Sequence, residues 1–371
     1  MKERIALFKC RDYDFDLVYF SLQRVIELLG GIEKFIKPKS KVLLKPNLLL
    51  GISPQKAVTT HPQIIRAVIR ILKTINCEIY LGDSCSAWVN AKKSGQVYAE
   101  TGIEKLAHQE DIKLVEFNNF VWKQKFPLTS WLDFCDYFIS LPKFKTHDLM
   151  LLTGAVKNLF GLISGPYKIE LHRRYFYPQD FAKVLVDIYE IARPALTIID
   201  GVWALEGDGP GTNGIPKNTG FILAGKDAVA IDSVLALIMG LKPLDIFTNR
   251  EADIRKLGVT ELKEMEILGD NIEEFIDRKF KLPSTSLIRK VPSPFIALAK
   301  KMIRLYPSIK YKDCVRCGAC VAICPAQAIG IKGEKISIDY AQCINCFCCQ
   351  EACIHGAMKV KRSILAKILG L

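Results

Sequence analysis

Two cysteine runs near the C-terminus constrain this chain more than any other feature. The first reads Cys314-x-x-Cys317-x-x-Cys320-x-x-x-Cys324-Pro325 and the second Cys343-x-x-Cys346-x-x-Cys349-x-x-x-Cys353, so nine of the thirteen cysteines fall within residues 314–353. Three thiolates at two-residue intervals wrap one corner of an iron–sulfur cubane, because a tight turn points each sulfur inward and the intervening N–H groups toward the sulfides. In paired runs of this kind the fourth ligand comes from the other run. The spacing therefore assigns Cys314, Cys317, Cys320 and Cys353 to one [4Fe-4S] cluster, and Cys343, Cys346, Cys349 and Cys324 to a second. Zinc ribbons use paired Cys-x-x-Cys knuckles, not triplets closed by a distant cysteine.

An internal repeat supports the pairing. Ala328-Ile-Gly-Ile-Lys and Lys335-Ile-Ser-Ile-Asp alternate as a short hairpin between the runs, and Ala326-Gln-Ala-Ile and Ile354-His-Gly-Ala-Met occupy equivalent places after the fourth cysteines. The module is of the bacterial ferredoxin type, with a small α+β fold. Ile354 stands where proline often follows the fourth cysteine, and Cys348 is read as a packed spectator thiol. Electron conduction is the expected role of such clusters.

The rest of the chain alternates strand and helix patterns. Strand-like runs occur at 5–10, 42–45, 78–82, 113–117, 137–141, 196–200 and 220–224, with helical patterns at 15–29, 62–75, 92–108, 180–192 and 227–239. This alternation predicts an α/β domain over residues 1–277, a mostly parallel sheet with helices on both faces. Residues 278–308 read as a basic, proline-containing linker with a short helix over 294–305. The ferredoxin domain follows at 309–362 and a short basic tail at 363–371.

In open α/β sheets ligands bind beyond the carboxyl ends of the strands. Here those exits are polar: Lys45-Pro46-Asn47, Gly82-Asp83-Ser84, Pro142-Lys143-Phe144-Lys145-Thr146-His147-Asp148 and Asp200-Gly201. Lys45, Lys143, Lys145 and Lys157 would supply point charges for a carboxylate or phosphate, and Asp83, Asp200, His61, His147 and His172 would supply ligands or proton carriers. The Gly-rich stretch 201–214 lacks the G-x-G-x-x-G spacing of a dinucleotide fingerprint, and no P-loop is present. It reads as a close-approach loop with Glu206 and Asp208 facing a ligand.

These motifs, together with Thr60-His61-Pro62, Thr153-Gly-Ala-Val-Lys157-Asn158-Leu-Phe-Gly161, Glu206-Gly-Asp-Gly-Pro210 and Asp227-Ala-Val-Ala-Ile-Asp232, resemble the domain-of-unknown-function 362 family of iron–sulfur proteins across residues 40–270. The resemblance implies a shared site. It places Lys143, Lys145, His147 and Lys157 as candidate catalytic residues, and Lys45, Asn47, His61, Asp83, Asn158, His172, Asp200 and Glu206 as candidate binding residues. It brings no general reaction with it.

The formal charge of +13 concentrates in residues 278–312 and the last fifteen residues, which suits an acidic redox protein partner. Specific nucleic-acid binding has only this charge in its favour. The linker helix and the tail are basic and amphipathic, yet packing against the core is expected before peripheral membrane contact. With no signal-peptide pattern and no apolar run of membrane-spanning length, cytoplasmic residence is expected. The combined expectation is a pair of clusters relaying electrons to or from a small anionic substrate or cofactor in the α/β domain, an iron–sulfur oxidoreductase. The rival is a non-enzymatic electron carrier or assembly factor whose α/β domain docks a protein partner.

Overall fold

The computed structural model describes residues 2–85, 91–286, 305–333 and 335–363. Its strands are β1 (Glu3–Lys9), β2 (Lys41–Pro46), β3 (Glu78–Leu81), β4 (Lys113–Leu114), β5 (Phe120–Lys123), β6 (Phe126–Thr129), β7 (Tyr137–Leu141), β8 (Lys143–His147), β9 (Leu151–Thr153), β10 (Leu196–Gly207), β11 (Gly214–Gly225), β12 (Met265–Gly269), β13 (Leu305–Ile309), β14 (Ile329–Lys332), β15 (Lys335–Ile338) and β16 (Met358–Arg362). The main sheet runs β12-β1-β11-β10-β7-β2-β3-β4, with β8 paired to β10 and β9 to β8. Its pairings are parallel except where β11 meets β1 and β10, and where β9 meets β8.

Both faces of this sheet are apolar, so both must be covered. Leu43, Ile199 and Leu223 belong to one core, while Val42, Leu44, Ile198 and Ile222 belong to the other. The helices Pro178–Ile191 and Ala228–Ile238 close the first core with Leu185 and Val234. The helices Phe15–Leu28 and Pro62–Thr74 close the second with Leu22 and Ile65. The result is an α/β domain with helices on both faces, as the alternation predicts. The helical stretch expected over 92–108 is divided into Ala91–Glu100 and Ile103–Gln109 at Gly102, whose φ of 75° breaks the helical path.

Two polar stretches depart from expectation. Residues 143–147, read as a polar strand exit, form a strand of their own, β8, buried throughout and registered Asp200↔Lys143 and Lys145↔Thr153. Its charges meet partners or a cavity inside the protein, so polarity there does not signal solvent. The Gly-rich stretch from Gly201 is no free loop either: β10 continues to Gly207 and pairs back on β11 from Gly214. Glu206 accepts from Lys217 Nζ at 3.2 Å and from Lys281 N at 3.0 Å, and Asp208 Oδ1 accepts from Ser284 N at 2.7 Å. Both acids tie chain segments together.

The C-terminal part pairs β13 with β16 and β14 with β15, around the short helices Ala319–Ile323 and Cys348–Glu351. It begins at Leu305, inside the segment expected as linker. The helix expected over 294–305 lies outside the described residues apart from Leu305, and so does the tail from residue 364. The β10–β11 turn is the seat of this part: Thr212 Oγ1 donates to Cys353 O at 2.8 Å, Asn213 Nδ2 to Met358 O at 2.5 Å, and Gln350 Nε2 to Asp208 O at 3.2 Å. Among the described residues no helix is long and apolar enough to cross a membrane.

Candidate functional site

The two cysteine runs fold alike. Left-handed backbone recurs at Arg316 and Asn345, at Gly318 and Phe347, and at Gln327 and Gly356, each pair 29 residues apart. Non-glycine residues adopt this conformation only where surroundings impose it, and alternating it turns successive N–H groups toward one point. The fourth cysteines match too: Ala328 N donates to Cys324 Sγ and Ala357 N to Cys353 Sγ, both at 3.2 Å.

The cysteines gather in two groups. Cys314, Cys317, Cys320 and Cys353 line one opening. Cys320 is pushed up to about 11 by burial and then by the nearby Cys353, Cys317 and Cys314 thiols. Cys343 is raised by burial, with Cys346 and Cys324 adding to it, and Cys349 feels Cys346, Cys343 and Cys324. Among the described residues no three His, Cys, Asp or Glu side chains converge on a single-ion site. Four sulfurs spread around a space suit a cubane, whose ligands bind separate irons. The residues fit iron–sulfur clusters.

Beside the second quartet lies a cavity of about 70 Å³, between the module and the carboxyl ends of β2, β3 and β8. Lys45 and Asn47 reach it from β2, Asp83 from beyond β3, Lys145 and His147 from β8, and Lys157 and Asn158 from the helix Ala155–Asn158. Lys168 and His172 come from the helix Gly165–Arg174, and Cys348 and Glu351 from the module. Of the residues selected from the sequence, the cavity gathers Lys45, Asn47, Asp83, Lys145, His147, Lys157, Asn158 and His172.

The remainder fall elsewhere. Lys143, Asp200 and His61 build a separate buried network with Tyr13. Lys143 Nζ lies 2.9 Å from Asp200 Oδ2 and 2.7 Å from Tyr13 Oη, which donates to Asp200 Oδ1 at 2.7 Å. His61 N donates to Asp200 Oδ2 at 2.8 Å, and the imidazole stacks on Tyr13 at 3.6 Å between ring centroids. None of these residues, nor Glu206, lines the cavity. Lys143 is thus a neutralised structural cation, not a charge offered to a ligand.

Within the cavity the lysines differ in the same way. Lys45 is answered by Asp83 at 2.9 Å and donates to Asn158 Oδ1 at 3.1 Å and Pro46 O at 2.7 Å. Gly161 lies against this pair, and a Cβ there would collide with Asp83 and Lys45. Lys145 donates to Val58 O at 2.7 Å and Lys168 to Cys85 O at 2.6 Å, while Lys157 stands 5.6 Å from the Phe160 ring centroid. None of these three lies within ion-pair distance of a carboxylate among the described residues. Burial pushes all of them down, Lys168 to about 8; neighbouring lysines add to the effect at Lys145 and Lys168, while Glu351 opposes it at Lys145 and Lys157 and Asp83 opposes it at Lys145 and Lys168.

The histidines are neutral at pH 7. Burial lowers His147 to about 3 and His172 to about 4. His147 Nδ1 accepts from Leu149 N at 3.0 Å and Met150 N at 3.3 Å, which leaves the proton on Nε2, 3.0 Å from Glu351 Oε1. Burial alone would raise Glu351, but His147, Lys157 and His172 hold it well below the usual carboxylate range. Among the described residues, His172 Nδ1, Thr153 Oγ1 and Asn47 Oδ1 are buried without a hydrogen-bond partner, and such orphans in one cavity mark a place for a polar occupant.

The sequence reading missed Lys168, Cys85 and Glu351; Cys348, read as a packed spectator, is buried in a cluster with Ala319, Ile323 and Ala352 and also forms cavity wall. Lys168 had a signal: it lies four residues before His172, on one face of a helix opened by Ser164-Gly165-Pro166.

The fold and these cysteines define an α/β protein with an appended iron–sulfur domain, and comparisons with known proteins give that class a family. The pattern of the domain of unknown function DUF362 matches residues 42–236, and that of a 4Fe-4S dicluster domain matches 306–354. The thylakoid-associated protein sll1697 of Synechocystis sp. is 32% identical over 290 residues, 76% of this chain and 88% of the relative. The chain belongs to the DUF362 family. The lactate racemase apoprotein of Thermoanaerobacterium thermosaccharolyticum aligns at 11% identity with a TM-score of 0.37, over 61% of this chain and 54% of that one.

Proposed function

We propose that this protein holds two [4Fe-4S] clusters and passes electrons between an external carrier and a small oxoanion bound in the lysine-lined cavity. When bound, the clusters supply one-electron transfer at low potential. The observation that carries the reading is the placement of three lysines with no carboxylate at ion-pair distance among the described residues, in a cavity walled by Cys348 and Ile323, the neighbours of Cys349 and Cys324. A resident anion would offset the cost of burying those cations. About 70 Å³ admits an ion of a few heavy atoms.

The chain's own groups have separable roles in this reading. Lys157 holds the charge, and Lys145, pushed well below the ordinary lysine value by burial, takes up its proton as an anion binds beside it. His147 and His172, neutral, orient the oxoanion as hydrogen-bonding groups, which replaces the proton-carrier role expected from the sequence. Burial pushes Lys168 down to about 8 and Lys145 well below the ordinary lysine value, so both give up a proton more readily than a free lysine.

The test is an anaerobic titration of the iron-loaded protein with formate, carbonate and phosphate, recording cluster spectra and reduction potentials. A potential shift that saturates with one anion and disappears in Lys157→Ala is the expected result. Binding with unaltered potentials would refute electron exchange with the cavity.

A further inference from the structure

The two cysteine quartets differ in what they face. The Cys343 quartet is turned inward: Cys346 and Cys349 are 8% and 5% exposed, and their neighbour Cys348 belongs to the cavity wall. The Cys314 quartet reaches the surface, where Cys317 is exposed and Val315 beside it is 57% exposed. Tyr311 and Ile354, also exposed, extend this apolar spot.

Cations surround it. Lys312 and Lys335 are exposed, with Lys335 Nζ 5.9 Å from the Tyr311 ring centroid. The neighbouring Asp313 is already paired with Lys310 at 2.6 Å, so it does not cancel the others. An apolar centre with a charged rim is the anatomy of a transient protein interface, and the sign of the rim selects the partner.

We infer that the face around Tyr311, Val315 and Cys317 is the electron port, and that it docks a small acidic electron-carrier protein. The inference rests on the relay reading above and gives it a direction across the molecule: carrier, Cys314 quartet, Cys343 quartet, cavity. Each electron lost by the carrier is gained by the exposed cluster, then by the inner one. No atom is transferred at the port.

The full-length, iron-loaded chain is tested without oxygen against a purified acidic [2Fe-2S] carrier protein, with Lys312→Glu and Lys335→Glu combined. Binding is measured by calorimetry at several salt concentrations, and cluster reduction is followed with the carrier and separately with photoreduced deazaflavin. The expected result is binding weakened about tenfold, a shallower salt dependence, slower reduction by the carrier and unaltered reduction by deazaflavin. Should the reversal cost cluster absorbance, Lys312→Gln with Lys335→Gln keeps the question open to measurement. Carrier binding that ignores both variants, or tighter binding of a basic carrier, overturns the port. Cluster potentials that ignore cavity anions while carrier binding still depends on these lysines would remove the relay reading and leave the port standing.

Discussion

Lys143 and Lys157 lie near the same end of the same sheet, and the sequence presents them as equals. Lys143 is enclosed by Asp200 and Tyr13, whereas Lys157 has two aromatic rings near it, feels Glu351 only from beyond ion-pair distance, and has no carboxylate in contact among the described residues. A buried cation that arrives with its counterion is part of the scaffold. One without it waits for the counterion to come from solvent.

The sharpest way to break this contrast is stability. Lys143→Ala strands the Asp200 carboxylate, fully buried, and should cost about 3–5 kcal/mol in a urea unfolding curve. A loss under about 1 kcal/mol would show that Lys143 is not a scaffold cation. Lys157→Ala should do the reverse, leaving the unfolding midpoint in place while calorimetric affinity for the favoured oxoanion drops about tenfold, near 1.4 kcal/mol. Lys168 adds a pH signature. It is cationic below its value of about 8 and neutral above, so anion affinity is present at pH 7 and falls as pH rises past 8, by roughly three- to tenfold. Bound anion favours the charged form and moves this midpoint upward, and Lys168→Met should flatten the profile. The smallest effect belongs to Thr212→Ala, which removes the hydrogen bond to Cys353 O. It should weaken the seating of the module by about 1 kcal/mol, seen as faster amide exchange in the helix Cys348–Glu351.

The grouping of the cysteines was legible because it is local, written in intervals of two and three residues that suit a cubane. Most of the sheet was legible for a similar reason: apolar alternation along strands such as Tyr137–Leu141 marks the strand itself. β8 was not, since Lys-Phe-Lys-Thr-His reads as a polar exit beyond a strand until Asp200 and the cavity are placed around it. The family motifs carried Lys157, Asn158 and Lys45 to one place, yet could not separate them from Lys143 and His61. That separation depends on which carboxylate arrives from which strand. Glu351 lay beyond reach for the plainest reason, because it joins the cavity through the docking of one part of the chain on another.

That docking has a consequence for how the site comes into being. Cys348 and Glu351 sit on a four-residue helix flanked by Cys346 and Cys353, far too short to hold its shape unaided. Metal organises such a segment, so the wall that Cys348 and Glu351 lend the cavity is expected to be firmer once iron is installed. A chain awaiting its clusters would have a looser wall on its lysine-rich cavity, and maturation would firm the binding site in the same act that supplies the electrons.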